Sequence, residues 1–518
     1  MRNMRAFCDS GHSEGSTACS SAPTRASSLW GTQAAMDLRQ LADGRKLRIA
    51  CPCIGIDGAG RALQEMNVPY LPVDVYETTT EVEAALVDLH GTAISAGFHI
   101  GKIHGDVTRV SLDSLSLPVH GLIAGPPCPP WAGRGLQKGD KDNRADVFLA
   151  IVAWIVFLVE RGGLLFAVLE NVPGILKKFN NAPAGFLVEV CEYLQHRCQA
   201  FAWEIRQLNT IDYALPQYRH RVFLSGMRRC YLPNQLLPPS LPPVGKKKLA
   251  AFLDGTLPHI PRLSLTQTMQ FNLRSYELAI ARAPIGVAQV AVVNLTRAEN
   301  KAWGFDKICY DAVPTLETGN AYLFVLSLQD RAAPDHERAF FRWLSPKERL
   351  ALQGINPSIS NHFTSDRQLI AAAGNSYAVP VIVAVVGPLL KHVYARTGEL
   401  PSFIPVTQDP YRDNVTQELR ARLHIKKGGK PQYLKPQAPA RKIWLENVRA
   451  ARQGVRKRPC KHTGRGSRTA CKGKFAGCGH GDAKAARPII AQAVLERYKQ
   501  RTALCYHCQT LFQQRQIR

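Results

Sequence analysis

The stretch LRIACPCIGIDGAG, residues 47–60, joins a short apolar run to a glycine-rich exit and then to helical sequence. Six more short apolar runs follow, the last of them HRVFLSG at 220–226, and amphipathic or wholly apolar helical sequence lies between several of them. Strands that alternate with helices are typical of βαβ units around a mainly parallel sheet. The sequence therefore predicts an α/β fold whose ligands bind at the carboxyl ends of the strands.

Outside this alternating region the composition changes at several points. The prolines and lysine triplet of LPNQLLPPSLPPVGKKK (231–247) end the alternation. The stretch LSPKERLALQG (344–354) predicts a helix that is capped by Ser345, has Pro346 in its first turn and ends at Gly354. We assign a disordered leader to 1–45, a core to 46–230, a mixed region to 231–342, the rest of the core to 343–396, and a linker with a basic tail to 397–518.

Positive charge is concentrated at the C-terminal end of the chain. Residues 411–518 carry 26 of the 66 Lys and Arg residues but only 5 of the 40 Asp and Glu residues. A polycationic segment on a nearly neutral body is typical of proteins that meet a polyanion such as nucleic acid, although a solubilising tail has the same composition. The run VRKRPCKHTGRGSR (455–468) is basic enough to bind phosphates or to act as a nuclear import signal.

The cysteines and the apolar runs favour an intracellular protein without a membrane span. Fourteen cysteines in 518 residues are too sparse for a disulfide scaffold, so we expect reduced thiols. The two longest apolar runs, at 147–159 and 377–390, are shorter than a bilayer requires and predict buried helices. Four cysteines of the tail are zinc-ligand candidates, with unpaired thiols as the alternative: Cys471, Cys478, Cys505 and Cys508.

The segment GPPCPPWAGRG, residues 125–135, places Cys128 among four prolines directly after an apolar run. Proline bars both helix and ladder pairing, so this segment is predicted to be an ordered loop at a strand end, with the thiol held in one direction. A structural cysteine would more naturally lie within an apolar run. Cys128 is therefore a candidate nucleophile.

Two further segments place charged side chains at strand ends. Glu170, in ENVPG, follows an apolar run and either caps the next turn or faces the same crevice as Cys128. Gln217, Arg219 and Arg221 alternate in PQYRHRVF, so at strand period their side chains would share one face. Two guanidiniums near a buried carboxylate predict a site for an anion or a base.

The glycine-rich exit after the first strand predicts a cofactor site. Small residues there let the backbone approach a ligand, and an acid about 20 residues later, here Asp74, can accept hydrogen bonds from ribose hydroxyls. Asp106 in HGDVTRV would add an acceptor for an adenine amino group, or it caps a helix.

Five of these segments together resemble the conserved blocks of the cytosine-C5 methyltransferase family. GPPCPPW, ENV, QYRHR, LSPKERLALQGI and GNSYAVP occur in that family's order and at roughly its spacing, over about residues 46–395. The resemblance implies a Rossmann-like methyltransferase sheet that binds S-adenosylmethionine, with a target-recognition region at 231–342. It also implies double-stranded DNA as the substrate. We further predict a monomer that is located in the nucleus, with the cytoplasm as the alternative for a prokaryotic or phage protein.

The same resemblance implies a role for each candidate residue. Cys128 would add to C6 of cytosine, Glu170 would hold and protonate the ring at N3, and Arg219 would support the base and the neighbouring carboxylate. Asp74 would bind the ribose and Asp106 the adenine. The other residues implied are Gln217 and Arg221 in the catalytic set, and Gly55, Asp57, Gly58, Pro127, Asn375 and Ser376 around the cofactor.

The sequence departs from the family pattern at four positions, and two alternatives stay open. Cys53 stands where the family usually has Phe, Asp57 where it has Gly, Pro129 where it has Gln, and Ala132 where it has Ser. One alternative is the same chemistry on tRNA, which one branch of the family performs. The other is a nucleic-acid-binding homologue without catalysis, which Asp57 in the cofactor turn makes conceivable.

Overall fold

A computed structural model describes residues 46–77, 79, 82, 86, 106–132, 139, 142–161, 163–178, 184–283, 286–299, 308–319, 322–396 and 411–423. The predicted leader lies outside these residues, as do most of the predicted third strand and nearly all of the basic tail. The four zinc-ligand candidates Cys471, Cys478, Cys505 and Cys508 also lie outside them.

The main sheet has six strands in the order β2-β1-β3-β4-β7-β5. Strands β1 to β4 run parallel to one another, whereas β7 runs antiparallel to both β4 and β5. Only ten residues join β5 to β7, which is too short for a parallel crossover. The prediction of a mainly parallel α/β sheet is confirmed, with β7 as its antiparallel strand. The six strands are β1 Leu47–Pro52, β2 Tyr70–Tyr76, β3 Gly121–Ala124, β4 Phe166–Asn171, β5 Phe201–Asn209 and β7 His220–Arg228.

Helices cover both faces of this sheet. The two longest apolar runs form buried helices, as predicted, within α2 and α7. The stretch Asp366–Tyr394 is long and apolar enough to pass for a membrane span, but it is mostly buried inside the fold, as a core helix is. The helices are α1 Gly58–Glu65, α2 Ala145–Glu160, α3 Phe186–Arg197, α4 Gln267–Arg282, α5 Pro346–Ala351, α6 Asp366–Asn375, α7 Val379–Tyr394 and α8 Tyr411–Arg422.

The mixed region at 231–342 contains a second, smaller sheet. Its four antiparallel strands have the order β10-β9-β11-β12, and α4 packs against them through Leu273, Tyr276 and Ile280. The predicted helix after Ser345 is confirmed with a full capping box to Glu348. The strands are β9 Val290–Asn294, β10 Cys309–Tyr310, β11 Leu323–Ser327 and β12 Phe341–Trp343; the short pair β6 Tyr213–Ala214 and β8 Gly245–Lys246 lies apart from them.

Helix α8 extends the folded core into a segment that the sequence assigns to the basic tail. Its residues Val415 and Leu419 are 1% and 0% exposed, and they pack in the same apolar cluster as α2. Arg420 pairs with Asp146 at the start of α2, with Nη2 to Oδ1 at 2.7 Å. Because α2 is apolar on every side, the sheet covers one side of it and α8 covers another.

We expect Leu419→Ala to lower the free energy of unfolding by about 2–4 kcal/mol, because it opens a cavity between α8 and α2. Gln417→Ala on the exposed side of the same helix is the control, and it should leave stability within about 0.5 kcal/mol of the wild type. Urea unfolding of both variants measures the difference. Equal stability of the two variants would show that α8 does not belong to the core.

Candidate active site

The loop that carries Cys128 is held in place by the neighbouring strand end and by its own turn. Asn171, the last residue of β4, donates a hydrogen bond from Nδ2 to the carbonyl oxygen of Pro126 at 3.0 Å. The backbone amides of Trp131 and Ala132 both donate to the carbonyl oxygen of Cys128, each at 3.0 Å. The thiol therefore lies half-buried on a loop that is fixed on both sides.

Trp131 anchors the far side of this loop in the core. Its indole is 1% exposed and packs against the rings of Phe148 and Phe186, with centroids 5.9 and 4.9 Å away. A Cβ on Gly174 would lie 2.0 Å from the Trp131 carbonyl oxygen, so only glycine allows this approach. The packing of Trp131 fixes the direction in which the Cys128 loop leaves the sheet.

An ion pair lies beside the thiol. Nε of Arg221, near the start of β7, is 2.8 Å from Oε1 of Glu170, near the end of β4. The two side chains are 12% and 13% exposed, so the pair is largely shielded from water. Of the two roles predicted for Glu170, capping the next turn or facing the crevice of Cys128, this arrangement favours the second.

The charges around Cys128 act on its thiol in opposite directions. Burial raises the pKa of Cys128 above its ordinary value, Arg221 and Arg219 lower it, and Glu170 raises it. The thiol is therefore mostly protonated at neutral pH, and the two guanidiniums favour the thiolate that a nucleophile needs.

The strand alternation that predicts one shared face for Gln217, Arg219 and Arg221 does not extend to the first two residues, which precede β7. Strand β7 begins at His220, so the residues before it are not bound by the period of two. Gln217 is fully buried and donates to the carbonyl oxygen of Leu352 at 2.9 Å. Among the described residues, the Gln217 side chain forms no hydrogen bond with Glu170 or Cys128.

Arg219 joins two parts of the fold, and its guanidinium also interacts electrostatically with Glu170 and Cys128. Its guanidinium, 3% exposed, donates to the carbonyl oxygens of Leu316, Gly374 and Ser376 at 3.2, 3.3 and 2.6 Å. These acceptors belong to the 231–342 region and to the end of α6. Of the two arginines, Arg221 is the one that forms an ion pair with Glu170, and the predicted support from Arg219 stays a prediction.

The glycine-rich exit of β1 adopts the tight turn that the sequence predicts. Gly55 and Asp57 both have a φ of 58°, the left-handed conformation that favours glycine. Asp57 is stabilised there because its carboxylate caps α1, accepting from the Gly60 amide at 2.7 Å. The aspartate thus adopts the backbone conformation that a glycine would have, and its 2% exposed side chain caps the helix. Its predicted place in the cofactor site stays a prediction.

Asp74 does not lie where a ribose would bind, which corrects the prediction from its spacing. Its carboxylate is 2% exposed within β2 and accepts from the amide and hydroxyl of Ser116, at 2.7 and 3.2 Å. Burial raises the pKa of Asp74. Glu77 instead follows the end of β2, and its Oε2 accepts from the amide of Gly55 at 3.0 Å. The acid beside the cofactor turn is Glu77.

The remaining cofactor candidates lie at neighbouring strand and helix ends. Asp106 caps a short 3₁₀ turn through the amide and hydroxyl of Thr108, at 2.9 and 2.6 Å, so its cap role is the one observed. Asn375 ends α6, and a Cβ on Gly55 would lie 3.8 Å from its carbonyl oxygen. Ser376 is buried, and Pro127 precedes Cys128 on the loop.

Tyr377 is a residue of this site that the sequence did not single out. A Cβ on Gly58 would lie 2.9 Å from Tyr377 Cβ, and one on Gly125 would lie 2.8 Å from its hydroxyl. The ring therefore fills the space between the cofactor turn and the start of the Cys128 loop. Its buried hydroxyl has no hydrogen-bond partner among the described residues, and burial and then Glu170 raise its pKa. The hydroxyl stays protonated and is a free donor.

Among the residues that the structure describes, no group of three or more His, Cys, Asp and Glu side chains could hold a metal ion. Zinc in the tail stays a prediction from its cysteines.

A sequence profile of the C-5 cytosine-specific DNA methylase family matches residues 94–391, more than half of the chain. The chain belongs to this family. The segment that matches the C-5 cytosine-specific DNA methylase profile contains Cys128, Glu170, Arg221 and Tyr377, whereas β1 and its glycine-rich exit precede it.

Individual relatives match over shorter segments. The type II methyltransferase M.MthTI of Methanothermobacter thermautotrophicus is 36% identical over 110 residues, 21% of this chain and 31% of that protein. The orphan methyltransferase M.SPRI of Bacillus phage SPR is 25% identical over 191 residues, 37% of this chain and 40% of that protein. The chain thus spans less than half the length of either relative. The solved structure of the Entamoeba histolytica methyltransferase EhMeth aligns with 67% of this chain and 99% of that chain, at 13% identity and a TM-score of 0.45.

Proposed function

We propose that this C-5 cytosine-specific DNA methylase transfers a methyl group from S-adenosylmethionine to C5 of cytosine in DNA. The observation that carries the proposal is the half-buried thiol of Cys128, fixed on its loop beside the Glu170–Arg221 pair. A thiol, a carboxylate and a cation at the ends of adjacent strands are the groups that nucleophilic attack on a pyrimidine requires.

Each of these residues has a distinct role in the reaction. C5 of cytosine is a weak nucleophile, so the Cys128 thiolate forms a bond to C6 and the displaced electron pair makes C5 reactive. Glu170 holds N3 and shares a proton with it, and Arg221 orients Glu170. After C5 has accepted the methyl group and lost its proton, the Cys128–C6 bond breaks and the thiolate is released. Because a stacked base shields C5 and C6, the cytosine leaves the duplex first.

The residues at the cofactor turn fit S-adenosylmethionine, which supplies the electrophilic methyl group when it is bound. The left-handed turn at Gly55 lets the backbone approach a ligand, and Glu77 at the end of β2 can accept from ribose hydroxyls. The buried Tyr377 hydroxyl is a donor that needs an acceptor. The residues that would hold the cofactor are Gly55, Gly58, Glu77, Asp106, Asn375, Ser376 and Tyr377.

The experiment that tests the function uses methyl-labelled S-adenosylmethionine with unmethylated duplex DNA or with tRNA. We expect label in DNA as 5-methylcytosine. Label confined to tRNA would move the substrate to RNA, and no label on either despite cofactor binding would contradict methyl transfer. Nuclear localisation stays a prediction from the basic run at 455–468.

Substitution of Glu77 separates its role from that of Asp74. We expect Glu77→Gln to weaken S-adenosylmethionine binding by about tenfold, because a carboxylate accepts more strongly than an amide from ribose hydroxyls. Asp74→Asn should instead leave the affinity near that of the wild type and lower stability by about 1–2 kcal/mol, through the weakened bonds to Ser116. Calorimetric titration measures the affinity for S-adenosylmethionine, and urea unfolding measures the stability. If only the Asp74 variant loses cofactor binding, Asp74 binds the ribose, as the sequence predicts.

A further inference from the structure

Helix α8 lies outside the Cys128 site, but it binds the two helices that anchor the Cys128 loop. The ring of Trp131 in that loop packs against Phe148, in the first turn of α2, and against Phe186, the first residue of α3. The two phenylalanine rings also meet edge to face, with centroids 5.2 Å apart. The position of the loop therefore depends on how the first turns of α2 and α3 lie relative to each other.

Arg420 of α8 binds the first turn of α2. Its Nη2 lies 2.7 Å from Oδ1 of Asp146, which is two residues before Phe148. Val415 and Leu419 of α8 pack in the apolar cluster that also contains Phe148. The start of α2 is thus held to α8 by an ion pair and by apolar contacts.

Arg422 of α8 binds the start of α3. Its Nε lies 3.0 Å from Oε2 of Glu189, and its Nη2 lies 2.6 Å from Oε2 of Glu192. The Glu189 carboxylate is in the first turn of α3 and is only 4% exposed, so its charge needs the partner that Arg422 provides. The hydroxyl of Tyr193, also in α3, donates to Oε2 of Glu418 at 2.5 Å and adds a further contact between α3 and α8.

The charges at the helix starts explain why α8 is needed there. The first turns of α2 and α3 each carry a carboxylate, Asp146 and Glu189, and two like charges repel each other. The cations that pair with them both come from α8. At the opposite ends of the same two helices the pairing is direct, between Glu160 of α2 and Arg197 of α3. Helix α8 therefore bridges two helix starts that cannot form an ion pair with each other.

We propose that α8 is a clamp that positions the catalytic loop. Arg420 and Arg422 hold the first turns of α2 and α3 in one arrangement, and the rings of those turns fix Trp131. Trp131 in turn directs the loop so that the Cys128 thiol meets C6 of the cytosine. The two arginines are positioning residues, because they act on the thiol only through the ring packing. The inference rests on the proposed function in taking Cys128 as the nucleophile, and it adds a helix outside the site to the residues that the reaction requires.

The rate of methyl transfer at saturating DNA and S-adenosylmethionine tests the clamp. The full-length double variant Arg420→Gln with Arg422→Gln removes both cations and should lower kcat by about tenfold, because a displacement of about 1 Å at a reacting group can cost about 10²-fold. KM for DNA and for S-adenosylmethionine should stay within about twofold of the wild type, since the residues that bind them are unchanged. Lysine at both positions keeps the positive charges and should restore most of the rate.

Arg197→Gln is the matched control, because it breaks the ion pair that joins the opposite ends of α2 and α3. That pair lies about 20 Å along α2 from Asp146, so kcat should stay within about twofold of the wild type. An unchanged kcat in the double variant, or an equal loss of kcat in the Arg197 variant, would overturn the proposal.

A triple variant keeps the test decisive if the double variant does not fold, since loss of Arg422 leaves the buried charge of Glu189 without its partner. Glu189→Gln is then added to Arg420→Gln and Arg422→Gln, so that the buried carboxylate is removed together with its cation. This variant should show the same loss of kcat, and an unchanged kcat would likewise contradict the clamp. Thermal unfolding checks that each variant is folded at the temperature of the assay.

Alkylation of Cys128 by iodoacetamide measures the position of the loop without any methyl transfer. Loss of the clamp should expose the half-buried thiol, so Cys128 should be alkylated several times faster in the double variant than in the wild type. The exposed thiol of Cys230 should react at the same rate in both proteins, and Arg197→Gln should change neither rate. Mass spectrometry of the two peptides gives both rates from one sample. Equal alkylation of Cys128 in the double variant and the wild type would contradict the clamp.

These outcomes are separable from the fate of the proposed function. If the wild type methylates DNA but the double variant keeps its kcat, the clamp is wrong and the methyltransferase stands. If the wild type transfers no methyl group but Cys128 is alkylated faster in the double variant alone, the clamp on the loop stands without the catalytic assignment.

Discussion

Cys128→Ala is expected to lower methyl transfer by at least about 10⁴-fold, because no other group can form the bond to C6 that makes C5 reactive. The variant should still bind S-adenosylmethionine, since the loop is held by Asn171 and Trp131 rather than by the thiol. Transfer of labelled methyl groups to duplex DNA gives the rate, and calorimetry gives the affinity for the cofactor.

A mechanism-based trap provides the sharper readout for Cys128. A duplex that contains 5-fluorocytosine blocks loss of the C5 substituent, so the protein stays joined to DNA on a denaturing gel. The adduct is expected with the wild type and with Cys230→Ala, which removes an exposed thiol, but not with Cys128→Ala. An adduct that survives in the Cys128 variant would place the nucleophile elsewhere.

The rate of adduct formation should also depend on pH in a defined direction. Burial raises the pKa of the Cys128 thiol above its ordinary value, and the nearby guanidiniums offset only part of that rise. The thiolate is therefore a minor species at neutral pH, and its fraction increases with pH. We expect adduct formation to accelerate from neutral to alkaline pH, as far as the protein stays folded.

The sequence predicts those residues of the site that lie at the carboxyl ends of strands. Cys128 lies on the loop after β3 and Glu170 lies near the end of β4. Because β3 and β4 are adjacent parallel strands, the meeting of the two residues at one edge of the sheet follows from the βαβ pattern. Arg221 joins them because it is the first arginine that lies inside β7. Its proximity to Glu170 needs no more than the pairing of β4 with β7.

The sequence fails where the backbone departs from regular geometry. Asp74 fits the expected spacing from the cofactor turn, but its φ of 49° and a register shift at Ala50–Cys51 place an irregularity in the β1–β2 ladder. The carboxylate is then buried against Ser116, and the acid at the strand end is Glu77. A rule that counts residues cannot detect such an irregularity.

Tertiary packing explains the remaining differences. The sequence after residue 411 is so basic that it does not predict a core helix there. Val415 and Leu419 are nevertheless the apolar residues with which α8 covers α2. Their spacing of four is a helical signal, but it is short and surrounded by charge. Only the folded structure shows that α2 leaves an apolar side for α8 to cover.

Arg221→Met is expected to lower methyl transfer by about 10²-fold or more, because it removes the partner that orients Glu170 at 2.8 Å. The charge of Arg221 is also the strongest influence that lowers the pKa of Cys128. Without it the pKa of the thiol rises further, and the pH–rate curve moves to higher pH. Single-turnover methylation over a pH series measures both effects. Arg221→Lys keeps a positive charge, so its pH–rate curve should lie closer to that of the wild type than the curve of Arg221→Met. Its methylation rate should recover less, because an ammonium lacks the planar fork of the guanidinium.

Arg219→Met is the control that makes the result specific, because the two arginines are two residues apart and both are largely buried. Arg219 donates to backbone carbonyls of the 231–342 region and of the end of α6, so its loss should lower stability by about 2–4 kcal/mol. Arg219 also lowers the pKa of Cys128, but less than Arg221 does, so the pH–rate curve should move less. The assignment would be wrong if the Arg219 variant showed the larger pH shift and the Arg221 variant lost stability. Arg219 would then be the residue that orients Glu170. The two variants therefore decide which guanidinium acts through the carboxylate and which one holds the fold together.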